Sequence, residues 1–137
     1  IYIAAVSVLS ASRPSWPRKI AMEKTKMDIH KIDWSAMEWK EIRKGVEQKA
    51  FSGSAATVAL HRLMPGHEPR PHSHPHEQIA YIVSGTLRFH IGDQVHDIGP
   101  GGLVVIPSNV THWGEVIGDE PVINLDVFTP KRPEYAP

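Results

Sequence analysis

Residues 65–85 read PGHEPRPHSHPHEQIAYIVSG, and this stretch decides the fold. It carries four of the nine histidines in the chain, His67, His72, His74 and His76. His72 and His74 are two apart, and on an extended strand such residues share a face. Two imidazoles on one face can grip one metal ion. Pro75 interrupts the strand and permits a tight turn before Gln78. The run 79–83, IAYIV, is β-branched and aromatic and closes on Ser84-Gly85, which reads as a strand ending in a turn. The plainer alternative for these histidines is a solvent-facing loop.

Outward from this stretch the chain continues as short strands. Residues 86–91 alternate Leu87, Phe89 and Ile91 with Arg88 and His90, a half-buried strand. Gly92-Asp93 signals a hairpin, and 94–98 return. Residues 103–106 are fully apolar and end at Pro107-Ser108-Asn109, where Asn109 tolerates a left-handed backbone. Another strand starts at 110–113, and 122–128 form the last, before an irregular tail. Upstream, 55–64 read as a strand in which His61 is a packed or edge residue. Strands are also expected near 27–32 and 38–44, with Gly45 opening a loop. Turn signals every 8–12 residues without a long amphipathic helix predict an all-β, single-domain jelly-roll barrel.

Composition narrows the function. The chain has 137 residues, enough for one domain with a real core. Its 15 basic residues balance 15 acidic ones, so no basic field invites nucleic acid. Cysteine is absent, which excludes disulfides and thiolate sites and leaves a metal to His with Asp, Glu, Asn or Gln. Residues 1–21 look foreign to the rest. Their apolar run, IYIAAVSVLSA, is too short to span a bilayer and lacks a basic lead, so no membrane partner is expected. Met22 then reads as the natural start, with 1–21 a cloning-derived or translated upstream segment. A clipped signal peptide is the competing reading. The domain proper is 22–137, and a cytoplasmic location is expected.

The spacing Gly66-x5-His72-x-His74-x3-Gln78-x6-Gly85, followed by Gly101-x5-Pro107-x-Asn109-x2-His112, resembles the two motifs of the cupin family. Gln78 stands where that family usually has Glu, Asn109 where it has Gly, and Val116 where it has Asn. The resemblance implies a small jelly-roll barrel holding one divalent transition metal (Zn, Ni, Fe or Mn). His72, His74, Gln78 and His112 would be its ligands. An amide leaves the site one charge more positive than a carboxylate would, which favours an anionic substrate. Glu77 would point to the opposite face from Gln78, and His76 is read as a rim residue.

A narrower resemblance, carried by HSHPHEQ, YIVSG and LDVFTPKRPEY, is to the pectin-degradation cupins that act on unsaturated uronates. Among those, the glutamine ligand is usual. The resemblance implies ring opening of 4,5-unsaturated uronates to linear keto-uronates. Asp126 would move the proton, Phe128 would wall the sugar ring, and Arg132 or Arg88 would meet the carboxylate. The alternatives are a non-haem iron dioxygenase, a polyketide cyclase-like enzyme and a non-catalytic small-molecule-binding cupin. Apolar residues on both faces of 79–83 call for a cover on the outer face, so a homodimer is expected.

Overall fold

The structure is a computed structural model and describes residues 30–137. The strand expected near 27–32 falls largely outside the described residues, and 30–32 carry no strand. A single 3-10 turn, Trp34–Ala36, is capped by Asp33, whose carboxylate accepts from the Ser35 backbone N–H at 2.9 Å. Nine strands follow: β1 Lys40–Arg43, β2 Val46–Ser52, β3 Thr57–Leu63, β4 Glu77–Ser84, β5 Thr86–Ile91, β6 Gln94–Ile98, β7 Leu103–Ile106, β8 His112–Ile117 and β9 Val122–Thr129.

All pairings between these strands are antiparallel. Six strands form one sheet in the order β1-β2-β3-β9-β4-β7, and three form another in the order β6-β5-β8. This is the jelly roll that the turn spacing predicts. The loop expected after Gly45 is instead β2. Its inward residue Gln48 is polar. Lys49 is buried because its ammonium donates to the Trp34 carbonyl at 2.6 Å and lies over the Trp39 ring.

Strand register explains how the interior is divided. On the inner face of the larger sheet, Val46, Leu63 and Val122 stand opposite one another, and with Ile82, Leu87 and Phe89 they build the apolar core. The next row is Gln48, His61, Asn124 and Ile82. The third is Ala50, Ala59, Asp126 and Ala80, and the fourth is Thr57, Phe128, Gln78 and Ile106. Ala59 and Ala80, both fully buried, flank Asp126 on either side. Their lack of side-chain bulk lets His61 and Gln78 reach Asp126 along the sheet diagonals, a span that long side chains cover. The buried polar residues Gln48, His61, Asn124, Asp126 and Gln78 thus run across this face, flanked by the apolar first row and by Phe128 and Ile106 of the fourth.

Two turns fix the strand ends. Asn109 has φ 63°, as its side chain allows. Its N–H donates to the His74 carbonyl at 2.8 Å, while Ser108 Oγ donates to the Pro75 carbonyl at 2.6 Å. The loop carrying His74 is therefore clamped by the turn preceding His112. Gly85 ends β4 at φ 76°, and a Cβ there would lie 2.6 Å from the Pro121 carbonyl oxygen. Only glycine combines that backbone with that approach.

Candidate metal centre

His72 and His112 face each other across an isolated antiparallel bridge. His72 N–H donates to the His112 carbonyl at 3.1 Å, and His112 N–H returns a bond to the His72 carbonyl at 2.9 Å. His74 follows on the same segment. One ring nitrogen from each of the three lies within 4.8 Å of the others. The ring centroids of His72 and His112 are 4.4 Å apart, and those of His74 and His112 are 4.9 Å apart.

Backbone carbonyls fix which nitrogen faces inward. His72 Nδ1 bonds the Arg70 carbonyl at 2.6 Å, His74 Nδ1 that of His76 at 3.0 Å, and His112 Nδ1 that of Val110 at 2.8 Å. A carbonyl can only accept, so each Nδ1 carries the hydrogen and each neutral ring turns a bare Nε2 lone pair inward. His112 Nε2 is buried without a partner. Burial also holds all three imidazoles below their ordinary pKa, which favours the neutral, ligating form.

Gln78 completes the set. It is buried and Glu77 is exposed, as alternation on β4 requires. Gln78 Nε2 donates to Asp126 Oδ1 at 2.7 Å, which turns Oε1 toward His74 Nε2 at 3.1 Å. Two lone pairs facing one another, beside an orphaned third on His112, is an arrangement that a cation satisfies. The donor set of three imidazoles and one amide oxygen fits a divalent transition metal.

Asp126 is 3% exposed and accepts three bonds. Besides Gln78, His61 Nδ1 reaches Oδ2 at 2.7 Å and Asn124 Nδ2 reaches the same oxygen at 2.9 Å. Phe128 is buried, its ring 5.5 Å from that of His74 and 5.3 Å from that of Tyr135. Arg132 stacks on Phe128 and Tyr135, with Cζ 4.9 Å and 3.9 Å from their centroids, and donates from Nε to Glu134. It lies one layer behind the cavity wall that those two rings form. Arg88 is elsewhere, exposed on β5 and paired with Asp97. His76 is half-buried, with its ring 5.5 Å from His74.

The cavity beside the histidines has a volume of about 70 Å³. Arg43, Arg70, His61, Asn124 and Tyr135 also line it, and the sequence did not single out any of them for the site. Asn124 was within reach, since it shares the period-two face of Asp126 and Phe128. Arg43 and Tyr135 carry no local signal, because only the topology brings them together. Arg43 donates from Nε to the Glu68 carbonyl at 2.9 Å. Arg70 makes no side-chain ion pair among the described residues.

The cupin domain model matches residues 59–128, and the chain belongs to the cupin family. The chain is 29% identical over 100 residues to the pectin degradation protein KdgF of Dickeya dadantii, covering 71% of this chain and 89% of that protein. It is 28% identical over 105 residues to the H2HPP isomerase of Bacillus subtilis, covering 76% of this chain but only 44% of that one. Among solved structures, KdgF from a Halomonas species superposes with TM-score 0.68 at 21% identity, covering 74% of this chain and 95% of its own. An RmlC-like cupin from Shewanella frigidimarina does so with TM-score 0.72 at 20% identity, covering 79% and 96%. No helix among the described residues is long and apolar enough to cross a membrane.

Proposed function

We propose that this cupin is a metal-dependent enzyme that opens the ring of 4,5-unsaturated uronates. One observation carries the reading. The cavity wall sets two guanidiniums, Arg43 and Arg70, beside a donor set with no carboxylate in it. Such a site attracts an anion. Similarity to a pectin degradation protein narrows the anion to a uronate.

When bound, the metal would supply Lewis-acid polarisation of a substrate oxygen or a water. His72, His74, His112 and Gln78 would hold it. Arg43 and Arg70 orient the substrate carboxylate from the mouth. Phe128 and Tyr135 give the ring an apolar wall, and Arg132 behind them adds positive field. Water adds across the C4–C5 double bond, with its hydroxyl going to C5 and a proton to C4. The hemiketal then opens as its C5 hydroxyl proton is lost and the ring oxygen gains one, giving the linear keto-uronate. Asp126 is the cavity's one carboxylate among the described wall residues. Oδ2 accepts two bonds and Oδ1 accepts one. Of about four lone-pair sites, the one still open lies on Oδ1, and the proton moves there.

Turnover of unsaturated galacturonate by the metal-loaded protein, followed by loss of the conjugated absorbance, tests the reading. Arg70→Met is expected to lower kcat/KM at least about tenfold with metal content unchanged, since charge-assisted contacts contribute about 1.5–3 kcal/mol each. No turnover by the unaltered protein removes the uronate assignment. Oxygen uptake by the iron form alone, with the zinc form inert, would replace it with an oxygenase.

The enzyme is further proposed to act as a homodimer. Ile79, Tyr81 and Val83 on β4 and Leu103 and Val105 on the adjacent β7 form an exposed apolar strip, with Leu103 60% and Val105 58% accessible. A strip of that kind at a sheet edge calls for a cover, and a second copy supplies a matching one. Light scattering at micromolar concentration is expected to give twice the chain mass, and Leu103→Lys with Val105→Lys to give the monomer.

A further inference from the structure

The buried polar groups beyond the ligands form one chain of bonds with a direction. At its far end, Gln48 Nε2 lies 3.0 Å from His61 Nε2. The amide nitrogen can only donate, so His61 Nε2 accepts and its Nδ1 carries the hydrogen. Nδ1 then donates to Asp126 Oδ2 at 2.7 Å, and Asn124 donates to the same oxygen. Asp126 passes the constraint on. With Oδ1 an acceptor, the Gln78 amide must present its nitrogen to Asp126 at 2.7 Å and its oxygen to the ligand histidines. Gln48, His61, Asn124, Asp126 and Gln78 are all at least nine-tenths buried. Their bonds to one another hold each link in this sense.

We propose that Asp126, oriented by His61 and Asn124, is a positioning residue that selects the oxygen face of the Gln78 amide for the metal, and that this selection is why position 78 is glutamine. A glutamate there would set two carboxylates against each other at the distance where Gln78 now donates. The bond to Asp126 would be lost and the new ligand pushed from its place, although a carboxylate is by itself the stronger donor. The negative charge of the site stands one residue behind the ligand rather than on it.

The arrangement is reciprocal, and that supplies the test. In a protein carrying both Gln78→Glu and Asp126→Asn, the new asparagine can donate to the new carboxylate from one side. From the other it can still accept from His61 and Asn124, and net charge is unchanged. Metal-free protein would be titrated with Co2+, reading affinity by competition with a chelator and coordination by visible absorption, with circular dichroism as the check on folding. Gln78→Glu and Asp126→Asn are each expected to weaken Co2+ binding at least tenfold and to change the spectrum. The double variant is expected to recover affinity to within about threefold of the unaltered protein, with its spectrum. A Gln78→Glu protein that binds Co2+ as well as or better than the original overturns the proposal. So does a double variant no better than the weaker single one. Should a single variant fail to fold, recovery of fold and Co2+ binding in the double variant supports the proposal equally, and a double variant that also fails to bind overturns it. These readouts do not depend on the substrate, so loss of the uronate assignment would leave them standing.

Discussion

In a His74→Ala protein, stoichiometric metal binding is expected to vanish while the barrel stays folded. His74 stands between the other donors, with its ring 5.6 Å from that of His72 and 4.9 Å from that of His112, and Nε2 3.1 Å from Gln78 Oε1. Its removal leaves two histidines and an amide, one imidazole short of the set. Outer residues that only orient a ligand are worth about 10–100-fold in affinity, so loss of a ligand should exceed about 100-fold. The fold should survive because the apolar core cluster of Val46, Leu63, Ile82, Phe89 and Val122 does not include His74. His74 belongs to the loop before β4, and its truncation should cost about 1–2 kcal/mol. Metal analysis after dialysis, with urea denaturation alongside, separates the two effects. Full occupancy in this variant would place the metal elsewhere.

The second large effect is on pH. His72, His74 and His112 are each held below the ordinary imidazole pKa, with burial the leading cause in all three. In the unfolded chain they titrate near ~6.5. Between that value and the lower folded values, the unfolded chain binds more protons, so stability rises with pH through this window and is lost as pH falls below ~6.5. The exposed carboxylates Asp97 and Glu134 are lowered as well, and act below the carboxylate range near ~4, outside this window. Metal binds only the neutral rings, so its affinity should be flat above pH ~6.5 and fall below the folded values, with up to about three protons taken up per ion released. The metal-loaded protein should therefore lose stability more steeply than the metal-free form. Urea midpoints of both forms from pH 8 to pH 5 provide the check. A metal-free form equally stable across that range would mean that these imidazoles do not remain neutral together.

The parts of the site that were legible from sequence came by two routes. His72 and His74 stand at period two, Gln78 at the start of a strand whose alternation is clean, and His112 after a turn whose Asn109 takes a positive φ. The period-two pair is a local rule, whereas Gln78 and His112 entered as ligands through the spacing of the two motifs that resemble the cupin family. Asp126 and Phe128 came from the resemblance to the pectin-degradation cupins, and period two on β9 places Asn124 on their face. β2 was lost because its inward Gln48 is polar and Lys49 is buried through the Trp34 carbonyl and the Trp39 ring. Hydrophobic alternation cannot find a strand whose buried positions are satisfied by hydrogen bonds. His61 read as a packed residue for the same reason. It is packed, but its partners Asp126 and Gln48 come from β9 and β2, and only the finished sheet shows them. Arg70 and Arg43 needed the whole topology.

The bridge between His72 and His112 also bears on which ions the site admits. Because the two backbones exchange both hydrogen bonds, the separation of their Cα atoms is set by sheet geometry, near ~5.5 Å for such a pair. That spacing holds whatever lies between the rings. The two residues behave as the fixed jaw of a caliper, and His74 with Gln78 as the sliding one. Ions of different radius would be measured on the sliding side alone. Discrimination among metals would then rest with the Asn109 clamp on His74 and the Asp126 bond on Gln78, rather than with the pair of histidines that faces them.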